Sequence, residues 1–180
     1  MGVGVTTNYQ PAQPIAFSHE IHAGINGVDC NYCHTSARHS KHSGIPSANV
    51  CMNCHTYISE GSKYGTKEIA KIYEAVGFDP DSRQYIEGYE QKPIEWVRIH
   101  NLPDHAYFNH SQHVVAGGLE CQECHGPVEE MEVLYQYSEL TMGWCIECHR
   151  ETEVKMEGNN YYTHLHDQLK EKYKGKPITV

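Results

Sequence analysis

The chain has 180 residues, of which 39% are apolar and only three are phenylalanine, so a core built from side chains alone would be thin for this length. Acidic residues outnumber basic ones 23 to 14, a formal charge of −9 that argues against a nucleic-acid partner. No run of about 18 apolar residues is present, so nothing in the sequence reads as a membrane-spanning helix.

Residues 1–10 contain no basic region followed by an apolar core. Met1-Gly2-Val3-Gly4-Val5-Thr6 matches a myristoylation pattern, but that pattern is short and belongs to a different cellular context. The first informative segment is Phe17-Ser18-His19-Glu20-Ile21-His22, and eight residues after His22 comes Cys30-Asn31-Tyr32-Cys33-His34. His39 and His42 follow closely, and Cys51-Met52-Asn53-Cys54-His55 stands 21 residues beyond Cys30. From Thr66 to Val76 the residues Ile69, Ile72, Tyr73 and Val76 share one helical face, with Thr66 as N-cap and Gly77 as stop. Pro80, Gly88, Pro93 and Pro103 predict an irregular connector over residues 78–106. Phe108-Asn109-His110-Ser111-Gln112-His113 then repeats the opening pattern at an offset of 91, and Cys121-Gln122-Glu123-Cys124-His125 follows after the same eight residues. Cys145-Ile146-Glu147-Cys148-His149 comes 24 residues later, and a last helix is expected from about Thr163 to Tyr173, carrying Leu165 and Leu169. Both helices are expected to cover the core or a cofactor face.

All eight cysteines fall in four copies of Cys-x-x-Cys-His. Two thiols three positions apart can each add to one porphyrin vinyl group, and the adjoining histidine is then held beneath the iron. The covalent positions are therefore Cys30, Cys33, Cys51, Cys54, Cys121, Cys124, Cys145 and Cys148, and the proximal iron ligands are His34, His55, His125 and His149. Four-thiolate zinc sites or a thioredoxin-like pair are the rival readings, but neither needs a histidine after every second cysteine. Four c-type haems and no zinc are the expectation. Each porphyrin is a large apolar plate, which accounts for the thin core: about 45 residues per haem wrap the cofactor with loops and short helices.

The offset of 91 makes two dihaem modules, 1–77 and 107–180, joined by the connector 78–106. The expected fold is mainly α and coil with little sheet, organised around its haems. Ten histidines remain beyond the proximal four: His19, His22, His39, His42, His100, His105, His110, His113, His164 and His166. Residues three apart on a helical turn are neighbours, so a His-x-x-His pair can offer one imidazole to each of two adjacent haems. His19 with His22, and His110 with His113, supply the four distal ligands and obey the duplication. His100, His39 and His42 are the reserves. Met52 and Met142, beside haem motifs, are expected to pack rather than ligate. Tyr32, Tyr135, Tyr137 and Trp144 are expected to lie on haem faces or bond propionates. Two imidazoles on every iron would leave no open coordination position, which favours electron transfer over catalysis.

Several longer segments carry a family likeness. Pro14 to Gly24, Ser36 to Ser40 with Gly44 to His55, Trp96 to His100 with Leu102-Pro103-Asp104, and Met142-Gly143-Trp144-Cys145 together resemble the pentahaem cytochrome c subunit of alternative complex III. The likeness runs over nearly the whole chain from Tyr9 and extends more loosely to class III multihaem cytochromes. It implies an exported, periplasm-facing subunit of a quinol-oxidising membrane complex at the bacterial inner membrane. The implied partners are an iron–sulfur subunit, polytopic quinol-binding subunits and a monohaem cytochrome or terminal oxidase. Members of that group generally carry an N-terminal membrane anchor and a fifth haem motif, and neither occurs within this sequence, which is then either a portion of such a subunit or a shorter relative with another role. A free periplasmic shuttle, the repeating unit of a haem filament, and a reductase with one open iron are the alternatives.

Overall fold

A computed structural model of the chain describes residues 5–102, 106–152 and 160–173. Residues 1–4 of the myristoylation-like start, Pro103, Asp104 and His105 lie outside the described residues, as does the side chain of His166. The architecture is helix and coil. Helices α1 (Cys30–Cys33), α2 (Ala48–His55), α3 (Lys67–Val76), α4 (Gln122–His125), α5 (Met142–Glu151) and α6 (Asn160–Tyr173) are joined by irregular segments. Two short π-helical turns, Glu20–Ile25 and Gln112–Ala116, carry His22 and His113, with His19 and His110 just ahead of them. Sheet among the described residues is confined to a hairpin of β1 (Phe78–Asp79) and β2 (Gln84–Tyr85), antiparallel with Phe78 opposite Tyr85.

Helix α3 forms where the apolar spacing predicts, and Ile69, Ile72, Tyr73 and Val76 are all buried. Gly77 ends it in the left-handed conformation at φ 70°, which glycine adopts without a Cβ penalty. A side chain at Gly77 would also collide with the Tyr89 ring. The α3 face meets Ile15, Met52 and Phe78, with Cys51, Ile94 and Trp96 packed at the margin. Each such side chain contributes roughly 1.5–3 kcal/mol by leaving water. This cluster also positions chemistry: the Tyr73 hydroxyl donates to the His55 carbonyl at 2.7 Å, pinning the end of α2 to α3.

The connector is irregular beyond its hairpin, and it is also packed. Lys92 N–H donates to the Ala75 carbonyl at 2.8 Å, and Gln13 and Val97 exchange two bonds at 2.9 and 3.0 Å. Ile94, Trp96 and Ile99 supply the apolar side chains that draw it onto the first half. Met52 packs in the core, whereas Met142 is 73% exposed and packs against little among the described residues. In α6, Leu165 is exposed and Leu169 half-buried.

The two halves are interlocked rather than merely adjacent. Thr35–Arg38 and Ser40–Lys41, just past the first haem motif, meet the second half's π-turn, and Ser111 N–H donates to the Ser40 carbonyl at 3.2 Å. Val128–Glu130, just past the third motif, packs on the first half's π-turn, and Glu20 N–H donates to the Met131 carbonyl at 3.0 Å. Those two bonds are related by the offset of 91. The fit is close, because a Cβ on Gly24 would collide with the Glu129 carbonyl oxygen. The N-terminal strand of coil adds to the joint, with Asn8 and Tyr9 bonded to the backbone of Gln136, whose side chain is fully buried and bonded to Thr6, Ser138 and Glu139.

Candidate haem sites

Each Phe-x-His-x-x-His segment builds the same object. A π-turn winds fewer degrees per residue than an α-turn, so histidines three apart splay further than on an ordinary helix. Phe17 stacks on His22 at 4.3 Å and meets His19 edge-on at 4.9 Å; Phe108 stacks on His113 at 4.4 Å and meets His110 edge-on at 4.8 Å. The phenylalanine is the wedge that sets the two rings apart. The carbonyl one residue after it fixes the second ring: His22 Nδ1 donates to Ser18 O at 2.8 Å, and His113 Nδ1 to Asn109 O at 2.9 Å. With Nδ1 occupied, Nε2 is the nitrogen left for a metal.

The rings then face the motif histidines. His22 and His55 have ring centres 6.2 Å apart, His110 and His125 6.4 Å, and His113 and His149 6.0 Å. A metal–imidazole bond of about 2 Å on each side, plus roughly 1 Å from each nitrogen to its ring centre, puts two imidazoles on one metal about 6 Å apart. His19 is the neighbour of His34. Burial first, then the His34 and His22 imidazoles, lower the His19 pKa to about 4. His19 Nδ1 is buried and has no partner among the described residues, a state that costs about 1–3 kcal/mol if left unsatisfied. The first histidine of each pair thus goes with the first motif of its half, and the second with the second.

The proximal set is oriented in the same manner. His34 Nδ1 donates to Gly44 O at 2.7 Å and His55 Nδ1 to Ile58 O at 2.8 Å. His110 is held from the other half, its Nδ1 donating to Lys41 O at 2.8 Å. His125 differs: its Nδ1 lies 3.3 Å from His100 Nε2, and the two rings meet edge-to-face at 4.4 Å. Burial, then His100, His110, His34 and His19, lower the His125 pKa to about 3; burial and His110 lower that of His100. The reserve His100 therefore stands against the Nδ1 edge of a motif histidine. The reserves His39 and His42 are exposed, and it is the backbone between them, through Ser40 and Lys41, that serves the site. His164 is exposed and bonded to Gln168 at 3.0 Å.

No disulfide joins any of the eight cysteines. Burial pushes Cys33, Cys51, Cys121 and Cys145 above the ordinary thiol range and Cys124 up to about 11, the reverse of what thiol–disulfide exchange requires. Around them, large apolar side chains stand in the open: Ile25 and Met142 are each 73% exposed, and Val115 is 61% exposed. Tyr32 accepts from Asn53 Nδ2 at 3.0 Å, Tyr137 lies against Gly126, and Trp144 lines a cavity of about 350 Å³ with Cys124 and Cys148. Paired imidazoles at metal-bridging spacing, a buried orphan nitrogen, free paired thiols and uncovered apolar surface fit covalently attached haem.

The sequence profile of the class III cytochrome c family matches residues 4–84 and again residues 86–175. The chain belongs to the class III cytochrome c family. The two tandem matches are the two copies seen in the geometry, and a class III cytochrome carries c-type haems. The chain is also 28% identical over 118 residues to the multiheme cytochrome c subunit of menaquinone reductase from Nitratidesulfovibrio vulgaris, covering 64% of this chain and 47% of that protein. It thus spans about half the length of that curated relative. No helix among the described residues of this class III cytochrome is long and apolar enough to cross a membrane.

Sequence reasoning missed four contributors. The Phe17 and Phe108 wedges were visible as recurring letters, but a shared pattern does not reveal which ring stacks on which. The Ser40 and Lys41 carbonyls left no signal, since backbone acceptors have no residue code. His100 was singled out as a ligand reserve, and its contact with the His125 ring was not foreseen.

Proposed function

We propose that this chain carries four haems c and passes single electrons along them as the periplasm-facing subunit of a quinone- or quinol-linked membrane complex. The observation that carries the reading is the recurrence, by the duplication, of imidazole pairs spaced 6.0–6.4 Å apart beside Cys-x-x-Cys-His motifs. Cys30 with Cys33, Cys51 with Cys54, Cys121 with Cys124, and Cys145 with Cys148 would hold the porphyrins. His34 and His19, His55 and His22, His125 and His110, His149 and His113 would supply the axial nitrogens.

Bound haem supplies a one-electron iron couple whose potential depends on axial ligand, burial and hydrogen bonding. The protein contributes the rest. Backbone carbonyls hold five of the eight imidazoles by Nδ1, fixing their tautomer and raising their basicity. Two imidazoles at each iron leave no position for substrate, so the residues orient and insulate rather than perform acid–base chemistry. The named relative is a subunit of a menaquinone reductase, and the longer segments resemble a subunit of the quinol-oxidising alternative complex III; both support a role beside quinone chemistry. An iron–sulfur subunit, polytopic quinol-binding subunits and a monohaem cytochrome are the proposed partners, and the complex supplies the membrane attachment at the inner membrane.

The test is a haem-stained native gel of the assembly purified from its source membranes, with mass spectrometry of the haem-positive band. Comigration of this chain, four haems attached, with polytopic and iron–sulfur subunits is the expected result. A haem-positive monomer or homopolymer would overturn it in favour of a shuttle or filament.

A further inference from the structure

Resting on that reading, we infer that the four haem sites form a single file in which the order is second, first, third, fourth motif, so that the chain's two electron-exchanging ends are the Cys51 site and the Cys145 site. Sequence order alone would suggest first to fourth. The contacts between motifs say otherwise.

The first and second motifs touch through Tyr32 and Asn53, one inside each motif, at 3.0 Å. The thiol neighbours of Cys33 are Cys54 and Cys30, and Cys33 is in turn a neighbour of Cys51. The third and fourth motifs share the cavity lined by Cys124, Cys148 and Trp144, and Cys124 has Cys148 and Cys145 beside it. Between the halves, the junction is first to third. The Cys30 and Cys121 thiols are hydrogen-bond neighbours. His110, the partner ring of His125, is gripped by the Lys41 carbonyl just past the first motif, and His34 and His19 both act on His125. The reciprocal bonds Ser111 to Ser40 and Glu20 to Met131 clamp this same junction from both sides.

Exposure follows the same order. At the junction His19, His34 and His125 are half-buried. At one extreme Cys54 is exposed and is followed by exposed Tyr57 and Ile58; at the other His149 is exposed and flanked by exposed Met142 and Ile146. A half-buried junction with exposed residues at both extremes would let separate proteins exchange electrons at either end. In each passage one electron leaves a reduced donor protein at one end, each iron is reduced and reoxidised once, and one electron reduces an acceptor protein at the other. No bond is made or broken and no proton is consumed.

The experiment uses the fully loaded protein. An NMR-monitored redox titration that follows the methyl signals of each haem yields the six pairwise redox interactions. The expected result is that the three strongest are second with first, first with third, and third with fourth, and that second with fourth is the weakest. His22→Met, which raises the potential of the second site, should perturb the first site most and leave the fourth unmoved; His113→Met should mirror this from the other end. A second-to-fourth interaction as strong as first-to-third, or a His22→Met effect that reaches the fourth site before the first, overturns the order. If a variant fails to load four haems, the iron–iron distances in a crystal structure of the loaded parent decide the same question. A chain with fewer than four haems would defeat the functional reading itself, a separate outcome from four haems in another order.

Discussion

Ten of the eleven buried apolar residues lie between Ile15 and Ile99, gathered mainly around α3, and between residues 106 and 152 Met131 is the one buried apolar side chain among the described residues. Yet the two regions hold their histidines alike, with matching ring angles and matching carbonyl contacts. The duplication therefore kept the parts that would grip the cofactor and did not keep the protein core. One region has a conventional apolar interior beside its haem sites; the other has little to bury except haem.

Removing haem is the strongest way to expose that difference. When the chain is produced without haem attachment, amide exchange in Gln112–Ala116 and α5 is expected to reach the rate of unstructured peptide, while α3 amides retain measurable protection. Equal protection in both regions would mean that the second half has an interior of its own. The converse perturbation is Ile72→Ala, which leaves a cavity beside Tyr73 and Val76 and is expected to cost about 2–5 kcal/mol. Thermal unfolding followed by α3 tryptic cleavage should move down, and the low-spin spectrum of the third and fourth sites should be retained until global unfolding. Bleaching of those sites first would sink the division.

A smaller effect is expected at Gly126, which sits at φ 72° directly after His125 and whose missing Cβ makes room for the Tyr137 ring. Its counterpart in the first half is Thr35, so the requirement belongs to one copy only. Gly126→Ala should destabilise the loaded protein by roughly 1–3 kcal/mol in denaturant unfolding, whereas Thr35→Ala should stay within about 0.5 kcal/mol.

The haem attachment motifs, the two His-x-x-His segments and α3 were all legible, because each depends on side-chain type at fixed spacing. Gly77 and the apolar face of Ile69, Ile72, Tyr73 and Val76 form a self-contained signal of the 3.6-residue period, although Thr66 stands at the N-cap without a side-chain bond. The pairing of each distal ring with one motif was not legible, since it depends on the π-turn splay and on which half lies against which. Neither were the clamps. Ser40, Lys41 and Met131 act through carbonyl oxygens, and Gln136 is buried only because residues 6–9 of the other half reach it. The packed connector was half visible: its prolines marked irregularity correctly, but Ile94, Trp96 and Ile99 are too sparse for a periodic signal.

The finest difference between the halves lies behind the two central proximal rings. His34 donates from Nδ1 to a carbonyl, whereas His125 faces the imidazole of His100, and the position equivalent to His100 in the first half is Tyr9, which bonds the Gln136 backbone instead. With iron on Nε2, His125 Nδ1 carries the proton and donates to His100 Nε2. That bond raises the basicity of His125 and so favours the ferric state. His100→Ala removes the acceptor in a half-buried place, a change on the order of 1 kcal/mol, or some tens of millivolts upward for a one-electron couple. Voltammetry of the loaded protein should show one potential rising most, with four low-spin haems retained, and His100→Gln, which keeps an acceptor, should recover much of the shift. Loss of one low-spin haem in His100→Ala would instead make His100 an axial ligand and leave His110 free of iron, so a single variant separates a residue that supports a ligand from a residue that is one.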